Sequence, residues 1–156
     1  MITKEQLVNR KEYIGASEAA AVLGMSRWQT PLEIWAIKTG VITAPEIDDK
    51  LWVKLGNRLE EVVAELFTEK TGKKTRRVTE AYQHPQYPFL RCHIDRKVEG
   101  ENSILQCKTA SAFKADEWRD EEIPDEYIIQ EMHELTCTGY DKAYIAVLIG
   151  NQDFVI

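Results

Sequence analysis

The segment Asp95-Arg-Lys-Val-Glu-Gly-Glu-Asn-Ser-Ile-Leu-Gln106-Cys-Lys108 ends one apolar run on an acidic side chain and sets a Gln-x-Lys triplet inside the next. Two short strands joined by a turn would bring Asp95, Gln106 and Lys108 to one edge. Those residue types suit magnesium-dependent phosphodiester chemistry. Asp95 and a second oxygen ligand would hold the metal, and Lys108 would lie beside the attacked phosphate. Position 106 carries a neutral amide where a second carboxylate is expected. Its oxygen can ligate magnesium but adds no negative charge. An Asp followed downstream by x-x-Lys also arises in strands by chance, so the pattern gains weight only from further residues. Glu60 supplies one, in Gly56-Asn-Arg-Leu-Glu60, and Gln130 another, in Tyr127-Ile-Ile-Gln130.

Helical and strand signals surround these residues. Thr30-Pro31-Leu-Glu33 reads as a capping box with proline at the first helical position, and Thr39-Gly40 ends that helix. Leu32 and Trp35 are expected to face the core. Upstream, Ser17 is a plausible N-cap for Glu18-Ala-Ala-Ala-Val-Leu, and Gly24 a stop. A longer helix is predicted from about Leu51 to Lys70. Leu59, Val62, Val63, Leu66 and Phe67 repeat at helical spacing, and Gly72 closes it. Glu60 flanks that stripe at the edge of the core. Arg76–Glu80 is read as a strand, Phe89–Ile94 and Ser103–Thr109 as a hairpin around Glu99–Asn102, Pro124–Thr138 as a helix and Ala143–Ile149 as a buried strand. This order predicts an α/β fold with a small mixed β-sheet flanked by helices.

The chain has 156 residues, 44% of them hydrophobic and 29% charged, which is the composition of one globular domain spanning 1–156. Asn151–Ile156 stops inside what reads as the start of a strand, so a truncated C-terminus is expected. The chain has no long apolar run and no signal-like N-terminus, so the expectation is a cytoplasmic protein with no membrane association. A net charge of −6 argues against coating nucleic acid by bulk electrostatics, yet a metal-dependent nuclease carries such carboxylates by necessity. Lys70, Lys73, Lys74, Arg76 and Arg77 form a basic cluster whose plainest reading is a solvated helix end and loop. The three cysteines lack CxxC spacing and are read as reduced thiols, and the three histidines are not at zinc spacings.

Taken together the motifs resemble the PD-(D/E)XK nuclease superfamily, in particular the YqaJ-like viral recombinase group that includes lambda exonuclease. The resemblance runs from about Arg10 to Phe154. It rests on Ile14–Gly24, Thr30–Gly40, Gly56–Glu60, Ile94-Asp95, Leu105–Thr109, Gln130 and Ala143–Gly150. It implies a PD-(D/E)XK restriction-endonuclease-like core. It also implies a Mg2+-dependent exonuclease, with Mn2+ able to substitute, that degrades one strand of double-stranded DNA ends from 5′ to 3′. The 3′ overhangs would serve a single-strand annealing protein in phage recombination, inside a bacterial host. Relatives commonly act as homo-oligomers, often trimers.

The resemblance also assigns roles to residues. Asp95 matches the metal-binding aspartate, and Lys108 the lysine that orients the attacking water and offsets charge on the phosphate. Glu60 matches the helix glutamate that supports the metal, in some relatives through water, and Gln130 a glutamine that positions water or phosphate. Arg10 and Ser17 match a pair that holds a terminal 5′-phosphate.

Two departures stand out: His93 where relatives often have a small residue, and Gln106 where the family has glutamate. Gln106 is either a natural neutral ligand or a Glu-to-Gln inactivation. The alternative function is therefore an inactive DNA-end-binding or recruitment module. Cys107 faces the opposite side of its strand from Gln106 and Lys108, while its backbone carbonyl could complete the metal shell. Trp28, next to Arg27 in the loop after Gly24, is a candidate DNA contact; Trp35 and Trp52 are expected in core or rim packing.

Overall fold

Capping and periodicity set the helices. A computed structural model of the chain describes residues 9–150 and 152–156. Its elements run β1 (Ile14–Gly15), α1 (Ala19–Val22), α2 (Pro31–Lys38), α3 (Leu51–Thr71), β2 (Thr75–Arg77), β3 (Ala81–Gln83), β4 (Leu90–His93), β5 (Arg96–Val98), β6 (Ser103–Ala110), α4 (Asp125–Thr138), β7 (Lys142–Ile149) and β8 (Asp153–Val155). Short 3-10 turns lie at Asn9–Glu12 and Ala16–Glu18, and a longer one at Ala112–Glu121. Helix α2 begins at the expected capping box. The Thr30 hydroxyl accepts the Glu33 N–H at 3.2 Å, and Glu33 Oε2 accepts the Thr30 N–H at 2.7 Å. Helix α3 ends at Gly72 in the left-handed region (φ 73°), where a side chain is disfavoured.

The chain divides into two compact units. The first holds residues up to Glu46 with 81–93 and 125–139; the second holds 47–80, 94–124 and 140–156. The first unit contains a three-stranded mixed sheet ordered β1-β4-β3, in which β4 pairs parallel with β1 and antiparallel with β3. Helix α4 packs on β4 and against α1. Ala19, Ala20 and Ala21 are all buried, so methyl-sized side chains set how closely that helix approaches.

The second unit contains a five-stranded sheet ordered β2-β5-β6-β7-β8, with β6 and β7 parallel and the other pairs antiparallel. Helix α3 lies on it. Val63, Ala64 and Phe67 pack with Val98, Leu105 and Ala146, and Cys107, Tyr144, Leu148 and Phe154 close the cluster. Each large apolar side chain fully withdrawn from water there contributes about 1.5–3 kcal/mol.

Several expectations are corrected. Two sheets replace one. The partner of Ser103–Thr109 in the hairpin is β5, not Phe89–Ile94, because β4 is taken up by β1 and β3. Ser17 is not an N-cap: it lies inside a 3-10 turn, and Glu18 precedes α1. Leu32 (70%), Trp35 (56%) and Trp52 (66%) are exposed rather than packed. Helical spacing identifies the face of a helix but not whether that face is covered. Residues Ala112–Glu121 form the longer 3-10 turn, and its Trp118 is buried.

Candidate active site

The second unit gathers Asp95, Gln106, Cys107, Lys108 and Glu60. Strand β5 pairs Arg96 with Leu105 and Lys97 with Ile104; one further step sets Asp95 opposite Gln106. The ladder stops there. In place of a strand carbonyl, Asp95 Oδ2 accepts the Cys107 N–H at 2.8 Å. A backbone donor thus fixes the carboxylate to the strand that carries the Gln-x-Lys triplet. Burial pushes the Asp95 pKa up; the Cys107 N–H and the nearby Lys108 and Arg96 charges oppose this, and Glu60 adds to it. Lys108 and Glu60 are therefore close enough for Asp95 to feel their charges.

Along β6 the side chains alternate. Leu105 and Cys107 belong to the core side under α3, which leaves Gln106 and Lys108 on the other face. Burial also raises the Cys107 thiol, with the Asp95 charge acting in the same direction. That side chain is a packing group. Gln106 is buried, and its Oε1 has no hydrogen-bond partner. Such an atom costs about 1–3 kcal/mol when unsatisfied, so its presence calls for a partner outside the chain.

Glu60 projects from α3 onto two guanidinium groups. Its Oε1 is 3.2 Å from Arg96 Nη2 and 3.6 Å from Arg77 Nη2. The same Arg96 Nη2 donates to Glu61 Oε2 at 2.8 Å. Arg96 is buried, and sequence reasoning missed it. Its position beside Asp95 was the only available signal.

Could this donor set hold a divalent metal? Among the described residues no group of three or more His, Cys, Asp or Glu is placed to bind one. Magnesium does not need such a cage. It takes oxygen ligands, keeps several waters and is held by one or two carboxylates plus substrate phosphate. An ionisable Asp95 beside an unsatisfied amide oxygen fits that pattern.

The remaining predicted residues lie in the first unit. Arg10 Nη2 donates to Ser17 Oγ at 3.2 Å, so the predicted pair is in contact. Behind it stands Glu18, which sequence analysis did not single out. Glu18 lies 3.6 Å from Arg10 Nε, and its Oε2 accepts from Lys38 Nζ at 2.7 Å and from the Gly15 N–H at 2.9 Å. Lys38 spends its other donors on the carbonyls of Arg10 and Tyr13, both at 2.6 Å. A carboxylate three residues after a glycine, at the mouth of a helix, was the legible hint. Arg27 Nε donates to Glu126 at 2.7 Å, and its guanidinium lies 5.7 Å from the centre of the exposed Trp28 ring. Gln130 is buried, and its Nε2 donates to Glu134 Oε1 at 2.8 Å. His93 is half-buried on β4, and burial lowers its pKa.

The YqaJ-like viral recombinase domain matches residues 6–141. The chain belongs to this family. Protein YqaJ of Bacillus subtilis (strain 168) is 44% identical over 157 residues, covering 99% of this chain and 49% of that protein. The chain thus spans about half the length of this curated relative. Among solved structures, an alkaline exonuclease (LHK-Exo) from Laribacter hongkongensis matches with a TM-score of 0.78 at 16% identity, over 98% of this chain and 79% of its own. A phage related exonuclease from Haemophilus somnus 129PT matches with a TM-score of 0.66 at 18% identity, over 88% and 68%. These likenesses bear out the nuclease-like α/β fold read from the sequence.

Proposed function

We propose that the chain is the nuclease part of a phage-type recombination exonuclease, which uses magnesium to degrade one strand of duplex DNA from its 5′ end. One observation carries the reading: Asp95, tied to the Cys107 N–H, faces a buried Gln106 whose Oε1 has no partner. Family membership and the exonuclease fold support it. Asp95, Gln106 Oε1 and the Cys107 carbonyl would hold the metal. The N–H and C=O of one strand residue point the same lateral way, so a carbonyl beside the Asp95-bound N–H is directed toward that carboxylate. A bound divalent metal supplies positive charge at the scissile phosphate and lowers the pKa of a water. Glu60 supports the site from α3. Lys108 lies beside the scissile phosphate, offsets its growing charge and orients the attacking water.

From the first unit we assign Arg10 and Ser17 to a terminal 5′-phosphate. A guanidinium and a hydroxyl already in contact form a ready anion site. Gln130 meets water or a phosphate oxygen, and Arg27 with Trp28 touches DNA. The products are 3′ overhangs for a single-strand annealing protein, and a trimer would make digestion processive. Light scattering on the purified chain gives the subunit number.

Gln106 favours a second reading, an inactive end-binding module, because one carboxylate fewer weakens metal binding. Magnesium-dependent digestion of a 5′-phosphorylated duplex by the wild-type chain and by Gln106→Glu separates the two. Cleavage by the wild type, faster in Gln106→Glu at low magnesium, is expected. Cleavage by Gln106→Glu alone makes Gln106 an inactivating residue. No cleavage by either, with chelator-insensitive end binding by both, removes the enzyme reading.

A further inference from the structure

Arg96 is the least exposed lysine or arginine among the described residues of the second unit, at 4%, and it sits one residue from Asp95. Its main chain belongs to β5 and pairs with Leu105, while its guanidinium reaches helix α3. There a single nitrogen bridges two carboxylates from consecutive residues, Glu60 at 3.2 Å and Glu61 at 2.8 Å. Consecutive helix residues point well apart, so one donor meets both only by lying between them. Arg77 adds a second contact at 3.6 Å, and it falls on the same Glu60 oxygen, Oε1. Both approaches to Glu60 are thus made at Oε1. Burying this charge is expensive, and Arg96 Nε is left with no hydrogen-bond partner.

A simple staple between helix and sheet does not require that arrangement. Apolar residues already pack α3 on the sheet at Val63, Ala64 and Phe67, and a buried ion pair is a poor way to add stability. What the arrangement does achieve is to fix one carboxylate relative to the strand that leads from Asp95. We infer that Arg96 is a positioning residue: it holds Glu60 by Oε1 and so leaves Oε2 for the metal's water shell at Asp95. The inference rests on the metal-site reading given above.

Charge and geometry predict different outcomes for a substitution that keeps the charge. If Arg96 acted only as a nearby positive charge, such a substitution would leave cation binding unchanged. If it positions Glu60, disturbing it loosens binding. Arg96→Lys keeps the charge but replaces a planar fork with a point donor. Mn2+ affinity is measured by electron paramagnetic resonance, with a cleavage-resistant phosphorothioate duplex bearing a 5′-phosphate present, for wild type, Arg96→Lys, Glu60→Gln and the double variant. Arg96→Lys is expected to weaken Mn2+ binding by about tenfold or more, as for other groups that orient metal-site residues. In the Glu60→Gln background it should add nothing. Unchanged or tighter binding in Arg96→Lys, or an equal loss in both backgrounds, overturns the inference and leaves the metal site standing. A wild-type chain that binds no Mn2+ overturns both.

A second measurement avoids the substitution, in case Arg96→Lys does not fold. In the wild-type chain labelled with 15N, the Arg96 guanidinium signals, linked through bonds to its backbone, are expected to shift saturably with Mg2+. Signals that do not respond while Asp95 does would overturn the inference.

Discussion

At the scale of single residues, Asp95 is held at a cost to stability. Its carboxyl is raised above the usual range chiefly by burial, so the folded chain holds that proton more tightly than the unfolded chain does. The stability linked to it is complete below the ordinary aspartate pKa and is lost as pH rises through the folded value. At neutral pH the charged form therefore weakens the fold. Asp95→Asn, whose amide oxygen still accepts the Cys107 N–H, should melt at a higher temperature than wild type at pH 7. That gain should vanish in acid, and the magnesium-dependent activity should be gone. Thermal melts at several pH values with a parallel digestion assay check this; a lower melting temperature at pH 7 would contradict the burial argument. Lys108 belongs to the same scale. Lys108→Met is expected to slow cleavage by about a hundredfold or more while duplex-end affinity changes little, because charge stabilisation acts mainly in the transition state. Single-turnover rates and anisotropy titrations separate the two effects.

At the scale of elements, local signals did most of the work where the chain's own backbone satisfies itself. The Thr30–Glu33 box, the Gly72 stop and the Leu51–Thr71 helix were all legible, because each depends on neighbours within a turn or two. Thr30→Ala removes the hydroxyl that caps α2 and should cost about 1 kcal/mol, read as a lower urea midpoint with an unchanged slope. An unchanged midpoint would mean that tertiary contacts, not the cap, fix the start of α2. Strand partners were another matter. Leu90–His93 lies in the run read as the hairpin partner of Ser103–Thr109, but that partner is Arg96–Val98, and the two segments pair in different sheets. Nothing in their side-chain pattern separates them, because pairing is chosen by distant segments such as Ile14–Gly15. The two-residue β1 is too short to announce itself by alternation.

At the scale of the whole molecule, the charge balance shapes how DNA can be held. The chain carries a net charge of −6, and several of its cations already face carboxylates: Arg10 with Glu18, Arg27 with Glu126, and Arg77 with Glu60. Duplex-end binding should therefore neutralise few phosphates. The slope of log K against log salt is expected near −2 to −4, or roughly two to four phosphates. A much steeper slope would point to an extended basic track. Among the described residues no helix is long and apolar enough to cross a membrane.

The proposed chemistry was read from residue types and order. Asp95, Gln106 and Lys108 name an oxygen-ligand and lysine site, while the strand that pairs with Ser103–Thr109 emerged only from the fold. The resemblance paired Arg10 with Ser17, and the two side chains are in contact. What holds these groups in place was settled only by tertiary structure. Arg96 gripping Glu60, Glu18 bracing Lys38, and the exposure of Leu32, Trp35 and Trp52 all depend on how separate segments pack. A side chain's type dictates what it can bond. Which partner reaches it, and whether water is excluded there, is decided by the packing of the folded chain.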